Sequence, residues 1–130
     1  EDRAVGREEL ERIHSGKTAA LLEASVRMGA VAAGARETLV ERLGRFGASL
    51  GLAFQTVDDI LDVTGDAREL GKSGGRDRAL GKATYPSIVG LDEAERLSRE
   101  LAEAARRELE GLERTGDLER LTTFVVERRR

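Results

Sequence analysis

Phe54-Gln55-Thr56-Val57-Asp58-Asp59-Ile60-Leu61-Asp62 puts three carboxylates into five residues, at i, i+1 and i+4. On an α-helix, residues four apart lie one above the other, so Asp58 and Asp62 share a face and Asp59 sits about 100° round the axis. Gln55, one turn earlier, extends the polar stripe. Phe46, Leu50, Phe54, Val57 and Leu61 recur at helical spacing on the other side. The stretch predicts a helix with one apolar, core-facing side and one side carrying carboxylates and an amide.

Such a face calls for a cation. Like charges at i,i+4 destabilise a bare helix by roughly 0.2–0.5 kcal/mol, and by more in a cleft. If the helix ends near Val63, the aspartates also lie where its macrodipole is negative. Carboxylate oxygens suit Mg²⁺, which keeps several waters and binds through one or two carboxylates plus substrate phosphates. The plain structural alternative is a solvated acidic helix face.

Working outward, the 130-residue chain is 36% charged and 3% aromatic, with one proline and long runs rich in Ala, Leu, Glu and Arg. That composition predicts an all-α protein of one domain, large enough to bury about two-thirds of its unfolded surface. A net charge of −3 gives no basic field for nucleic acid. The run Arg128-Arg129-Arg130 is too short to change that. The absence of cysteine excludes disulfides and thiolate metal sites and is compatible with the cytoplasm. No apolar run approaches 18 residues, so no membrane span is expected.

Upstream of the acidic stretch, a helix is expected from about Glu8 to Gly34, with Leu10, Ile13, Leu21, Ala24, Met28 and Val31 as its apolar stripe. Gly16 inside it suggests a bend or close packing, and Gly34 is its C-terminal cap. His14 receives no role. The acidic helix itself is expected from near Arg36 to about Val63, with Gly44, Gly47 and Gly51 lining one flank so that another helix can approach. Downstream, residues 65–83 contain five glycines and read as a loop with at most a short helical turn. Lys72 and Lys82 in that loop would lie near the acidic helix, and lysines beside Mg²⁺-binding acids make a polyphosphate site. The pattern is not a Walker loop. Thr84-Tyr85-Pro86-Ser87 starts a short helix. Asp92 is read as the N-cap of a helix from about Glu93 to Leu112, buried through Leu97, Leu101, Ala104, Ala105, Leu109 and Leu112. Gly116-Asp117 opens a last helix whose expected buried side is Leu118, Leu121, Phe124 and Val125.

These motifs in this order resemble the C-terminal part of the trans-isoprenyl diphosphate synthases, the farnesyl, geranyl and geranylgeranyl diphosphate synthases. Gly51-x-x-Phe54-Gln55-x-x-Asp58-Asp59-x-x-Asp62 is similar to that family's second aspartate-rich motif. Gly71-Lys72-x-x-Gly75-x-Asp77 and Gly81-Lys82-Ala83-Thr84-Tyr85-Pro86 follow in the family's order, and Lys17-Thr18 resembles its upstream Lys-Thr. The resemblance covers nearly the whole chain. It implies an antiparallel helical bundle in which residues 1–130 are the C-terminal portion of one synthase domain.

What the resemblance implies for chemistry is a prenyl transferase. Asp58 and Asp62 would bind Mg²⁺ that bridges to an allylic prenyl diphosphate, Asp58 being the direct ligand, with Asp59 and Asp77 supporting the metal either behind its ligands or through water. Lys17, Lys72 and Lys82 would contact the diphosphate, and Thr18 and Gln55 would line the cavity near the developing carbocation. The second substrate would be isopentenyl diphosphate. The family's first aspartate-rich motif and its isopentenyl-binding arginines are not among these 130 residues. The chain alone is therefore expected to be inactive and to associate, with an N-terminal portion, with a second subunit or as a dimer. Two further readings are a non-catalytic partner subunit of a prenyl synthase and a plain helical interaction module.

Overall fold

The structure, a computed structural model, describes residues 15–70 and 84–128 together with Gly6 and Glu9; the side chains of Ser15, Lys17 and residues 66–70 lie outside the description. The described residues form helices and no strand. A π-helical turn, Ser15–Ala19, leads into α1 (Ala20–Ala32), followed by α2 (Glu37–Leu70), α3 (Tyr85–Val89), α4 (Leu91–Leu109) and α5 (Gly116–Glu127).

The turn between α1 and α2 follows from Gly34. With φ at +73° it takes a left-handed conformation that a side chain would disfavour. Its N–H donates to Val31 O at 2.9 Å, and Ala35 N–H to Ala30 O at 3.0 Å. This is the paired bonding of a Schellman motif, which satisfies the last carbonyls of α1.

At 34 residues, α2 runs about 50 Å and is the axis of the bundle. It passes the expected end at Val63 and continues to Leu70. Gly65 reads as a stop, but one interior glycine costs only about 1 kcal/mol in a helix already nucleated. Ala67, Arg68, Glu69 and Leu70 after it are all good helix formers. The aspartates accordingly lie about two turns or more before the helix end, and the macrodipole argument for a cation lapses, because that effect fades within the last turn. The like-charge argument does not depend on where the helix ends.

The core forms where the expected stripe of α2 meets α4 and α5. Phe46, Leu50, Ala53, Ala105, Leu109 and Val125 are buried together, ringed by half-buried Leu43, Phe54, Leu101 and Leu118. A smaller cluster of Tyr85 and Ala94 packs with Ile60, Val89 and Leu97. α1 and the π-helical turn before it seat on the glycine flank of α2. A Cβ at Gly51 would stand 2.4 Å from Ala19 Cα, and one at Gly47 2.9 Å from Glu23 Cα. Arg42 and Arg45 tie α2 to the end of α4. Arg42 donates to the Glu110 carbonyl, and Arg45 pairs with Glu108 at 3.1 Å.

Several expected positions differ. Leu21, Met28 and Val31 of α1 are 67%, 71% and 64% exposed. The glycine flank accepts only the small side of α1, so Ala19 and Ala30 are buried and the stripe that includes Ala24 turns outward. Gly16 marks the π-helical turn rather than a close approach, with nothing within 4 Å of its Cβ position among the described residues. α4 starts at Leu91, capped by Gly90 at φ +91°, and ends at Leu109; Asp92 is in its first turn, not at its cap. On α5, Thr122 and Val125 are buried while Leu121 and Phe124 are exposed. The inward stripe is rotated from the expected one, and Thr122 is accommodated because its hydroxyl donates to Leu118 O at 2.9 Å. Leu10, Ile13 and His14 lie outside the described residues.

Candidate functional site

Gly51 begins the site. The close approach it permits brings the π-helical turn against α2, and one turn further along, Gln55 Nε2 donates to Thr18 Oγ1 at 2.7 Å. The backbone of Lys17, adjacent to Thr18, is thereby held beside the helix that carries the carboxylates. A wider π turn displaces side chains from their α-helical register, a feature frequent at functional sites.

Asp58 follows Gln55 on α2. Its side chain is 47% exposed, and Oδ1 stands 3.4 Å from Nη2 of Arg128. Arg128 follows α5 and lies over the Phe54 ring, with 3.9 Å from Cζ to the centroid. Its Nη2 also donates to Phe54 O at 3.0 Å, while its Nε is buried with no hydrogen-bond partner among the described residues. Arg128 is the site residue that sequence reasoning missed. No spacing ties position 128 to position 58, and only tertiary packing brings them together.

Asp59 points elsewhere. Its Oδ2 accepts from the backbone N–H of Tyr85 at 3.1 Å, at the first position of α3. That helix is otherwise closed by a capping box: Thr84 Oγ1 accepts from Ser87 N at 3.3 Å, and Ser87 Oγ accepts from Thr84 N at 2.9 Å. Ile88 N–H donates to Thr84 O at 3.2 Å, and Pro86 has no N–H. Asp62 is half-buried on the Asp58 face. Lys72, Asp77 and Lys82 lie outside the described residues, as does the side chain of Lys17.

Among the described residues, no three His, Cys, Asp or Glu side chains come together as a metal-binding group. Among the described residues, the donor set on this face is therefore two carboxylates at i,i+4. That set suits Mg²⁺ completed by water and phosphate oxygens, and does not suit a cation that needs an all-protein cage. A groove of about 930 Å³ between α2, α4 and α5 shares Arg128 with this site and is lined on α2 by Val57, Ile60 and Leu61, not by the three aspartates.

The family model described as polyprenyl synthetase matches residues 1–121. The chain belongs to the polyprenyl synthetase family. It is 44% identical to the farnesyl diphosphate synthase of Escherichia coli (strain K12), an alignment covering 98% of this chain and 44% of that enzyme. It is 43% identical to the heterodimeric geranylgeranyl pyrophosphate synthase large subunit 2 of Arabidopsis thaliana, over 95% of this chain and 34% of that subunit. The fold matches the geranyltransferase of Helicobacter pylori, solved with magnesium and isoprenyl diphosphate, at a TM-score of 0.69 and 32% identity, over 96% of this chain and 41% of that one. This member of the family spans under half the length of the curated relatives it matches. Among its described residues, no helix is long and apolar enough to cross a membrane.

Proposed function

We propose that this chain is the diphosphate-binding half-site of a polyprenyl diphosphate synthase, a transferase that joins an allylic prenyl diphosphate to isopentenyl diphosphate. The observation that carries this reading is the Thr18–Gln55 hydrogen bond of 2.7 Å. It brings the Lys-Thr segment to the helix of Asp58 and Asp62, which is what a site for a metal-bound diphosphate requires. Asp58 and Asp62 would hold Mg²⁺, with Asp77 and Asp59 acting indirectly. When bound, Mg²⁺ supplies fixed positive charge beside diphosphate oxygens that become more negative as the allylic C–O bond breaks.

The chain's own side chains do the rest. Lys17, Lys72 and Lys82 contact the diphosphate, which leaves with the bonding electron pair. Gln55 donates to Thr18 through Nε2, so its carbonyl oxygen is available to the positive charge developing on the allylic carbon. The isopentenyl double bond then forms the new C–C bond, and the adjacent carbon gives up a proton to the departed diphosphate as the new double bond forms. Cytoplasmic residence belongs to the same proposal, although some relatives are named as chloroplastic.

The test is thermal denaturation with Mg²⁺ and a bisphosphonate, a diphosphate mimic that is not hydrolysed. Joint stabilisation in the wild type and its loss in Asp58→Asn support the half-site. No stabilisation in the wild type overturns it and favours a partner subunit without catalysis. The proposal also holds that these 130 residues alone do not condense the two diphosphates. Turnover by the isolated chain in an assay with Mg²⁺ overturns that part.

A further inference from the structure

We infer that Asp59 is a positioning residue for this site, acting through the backbone N–H of Tyr85 rather than through the cation. The inference rests on the reading that Asp58 and Asp62 hold Mg²⁺, and it divides the three carboxylates between two tasks.

The geometry separates Asp59 from its neighbours. It projects about 100° round α2 from Asp58, and its Oδ2 is engaged by Tyr85 N–H at 3.1 Å. A helix start leaves its first N–H groups without intrahelical partners. In α3 the Ser87 N–H is taken by Thr84 Oγ1, the Ile88 N–H by Thr84 O, and Pro86 has none to offer. Asp59 supplies the acceptor for Tyr85, a residue only 3% exposed. A carboxylate accepting from an amide makes a stronger bond than a neutral acceptor.

The next residue completes the anchor. Ile60 packs into the Tyr85–Ala94 cluster, so α2 grips the start of α3 at a polar point and at an apolar one. α3 passes through Gly90 directly into α4, whose first helical hydrogen bond runs from Ala94 N to Gly90 O. Fixing Tyr85 therefore also fixes the N-terminal end of α4 against the stretch of α2 that bears Asp58 and Asp62. Without the anchor, both carboxylates remain, but the packing that orients their helix loosens.

Asparagine separates the two roles. Asp59→Asn keeps an acceptor oxygen for Tyr85 N–H and removes the charge that a metal ligand needs; Asp59→Ala removes both. The measurements are amide hydrogen exchange at Tyr85 and Mg²⁺-dependent bisphosphonate affinity by calorimetry, each on the 130-residue chain. Asp59→Ala is expected to lower Tyr85 protection and bisphosphonate affinity by about tenfold each, the scale of one charge-assisted hydrogen bond. Asp59→Asn is expected to recover most of both losses. Equal loss of affinity in the two variants, with Tyr85 protection intact in Asp59→Asn, overturns the inference and makes Asp59 a metal partner. Unchanged Tyr85 protection in Asp59→Ala overturns it as well. Should Asp59→Ala fail to fold, the Asn variant alone decides: protection kept with affinity mostly kept supports the positioning role, and protection kept with affinity lost overturns it. No bisphosphonate binding by the wild type instead overturns the site reading and the role built on it, and the exchange data still report whether the anchor exists.

Discussion

At Gly51 the question is where one methyl group could go. A Cβ there would lie 2.4 Å from the Cα of Ala19, and backbone cannot swing aside as a side chain can. Gly51→Ala is therefore expected to destabilise the chain, at the upper end of the roughly 1–3 kcal/mol typical of overpacking, read as a shift in the urea midpoint. At Gly44 the atoms nearest the added methyl group belong to the guanidinium of Arg27, 2.5 Å away at the tip of a flexible, partly exposed side chain. Gly44→Ala should be close to neutral, because moving a partly exposed Arg27–Glu23 pair costs little and alanine gains up to about 1 kcal/mol in helix propensity. Equal costs at the two positions would mean that the π-helical turn does not seat on α2 through Gly51. The contrast matters for the site, since the contact at Gly51 is what carries Thr18 to Gln55.

The elements show which features a sequence can express. The apolar stripe from Phe46 to Leu61 was legible because a single helix period repeats over four turns, and its burial follows from period alone. The glycine flank was legible for a similar reason: missing side chains at Gly44, Gly47 and Gly51 leave only one surface where backbones can meet. The polar stripe through Gln55, Asp58 and Asp62 was legible as a face, but its neighbours were not. Arg128 on Asp58 and the Tyr85 amide on Asp59 join residues 70 and 26 positions apart, and no local pattern records such distances. The end of α2 was misread because Gly65 carries a strong local signal that continued helix on both sides overrides. Gly65→Ala should raise stability by about 0.5–1 kcal/mol, the difference between the two residues in a helix interior. A loop at residue 65 would return no gain in thermal or urea denaturation.

Across the whole molecule, the imbalance is between the two sides of α1. One side is locked on the glycines of α2, while the other presents Leu21, Met28 and Val31 to solvent at more than 60% exposure each. These residues recur at i, i+7 and i+10 and so form one stripe rather than scattered surface leucines. A contiguous apolar face of this kind marks an interaction surface or an aggregation liability, and Phe124 of α5, 66% exposed, adds a second apolar point elsewhere. At about 25 cal/mol per Å² of apolar surface removed from water, covering one such stripe yields several kcal/mol before the cost of association. The isolated chain is therefore expected to associate in a concentration-dependent way, seen as a rising weight-average mass in sedimentation. Leu21→Lys combined with Met28→Lys should shift that equilibrium toward monomer by at least about tenfold, because burying either ammonium in the contact would cost more than 1.4 kcal/mol. The denaturation midpoint should hardly move, since neither side chain contributes to the core. A monomeric wild type at high concentration would leave the outer side of α1 as ordinary surface, and a double variant that still associates would place the contact elsewhere.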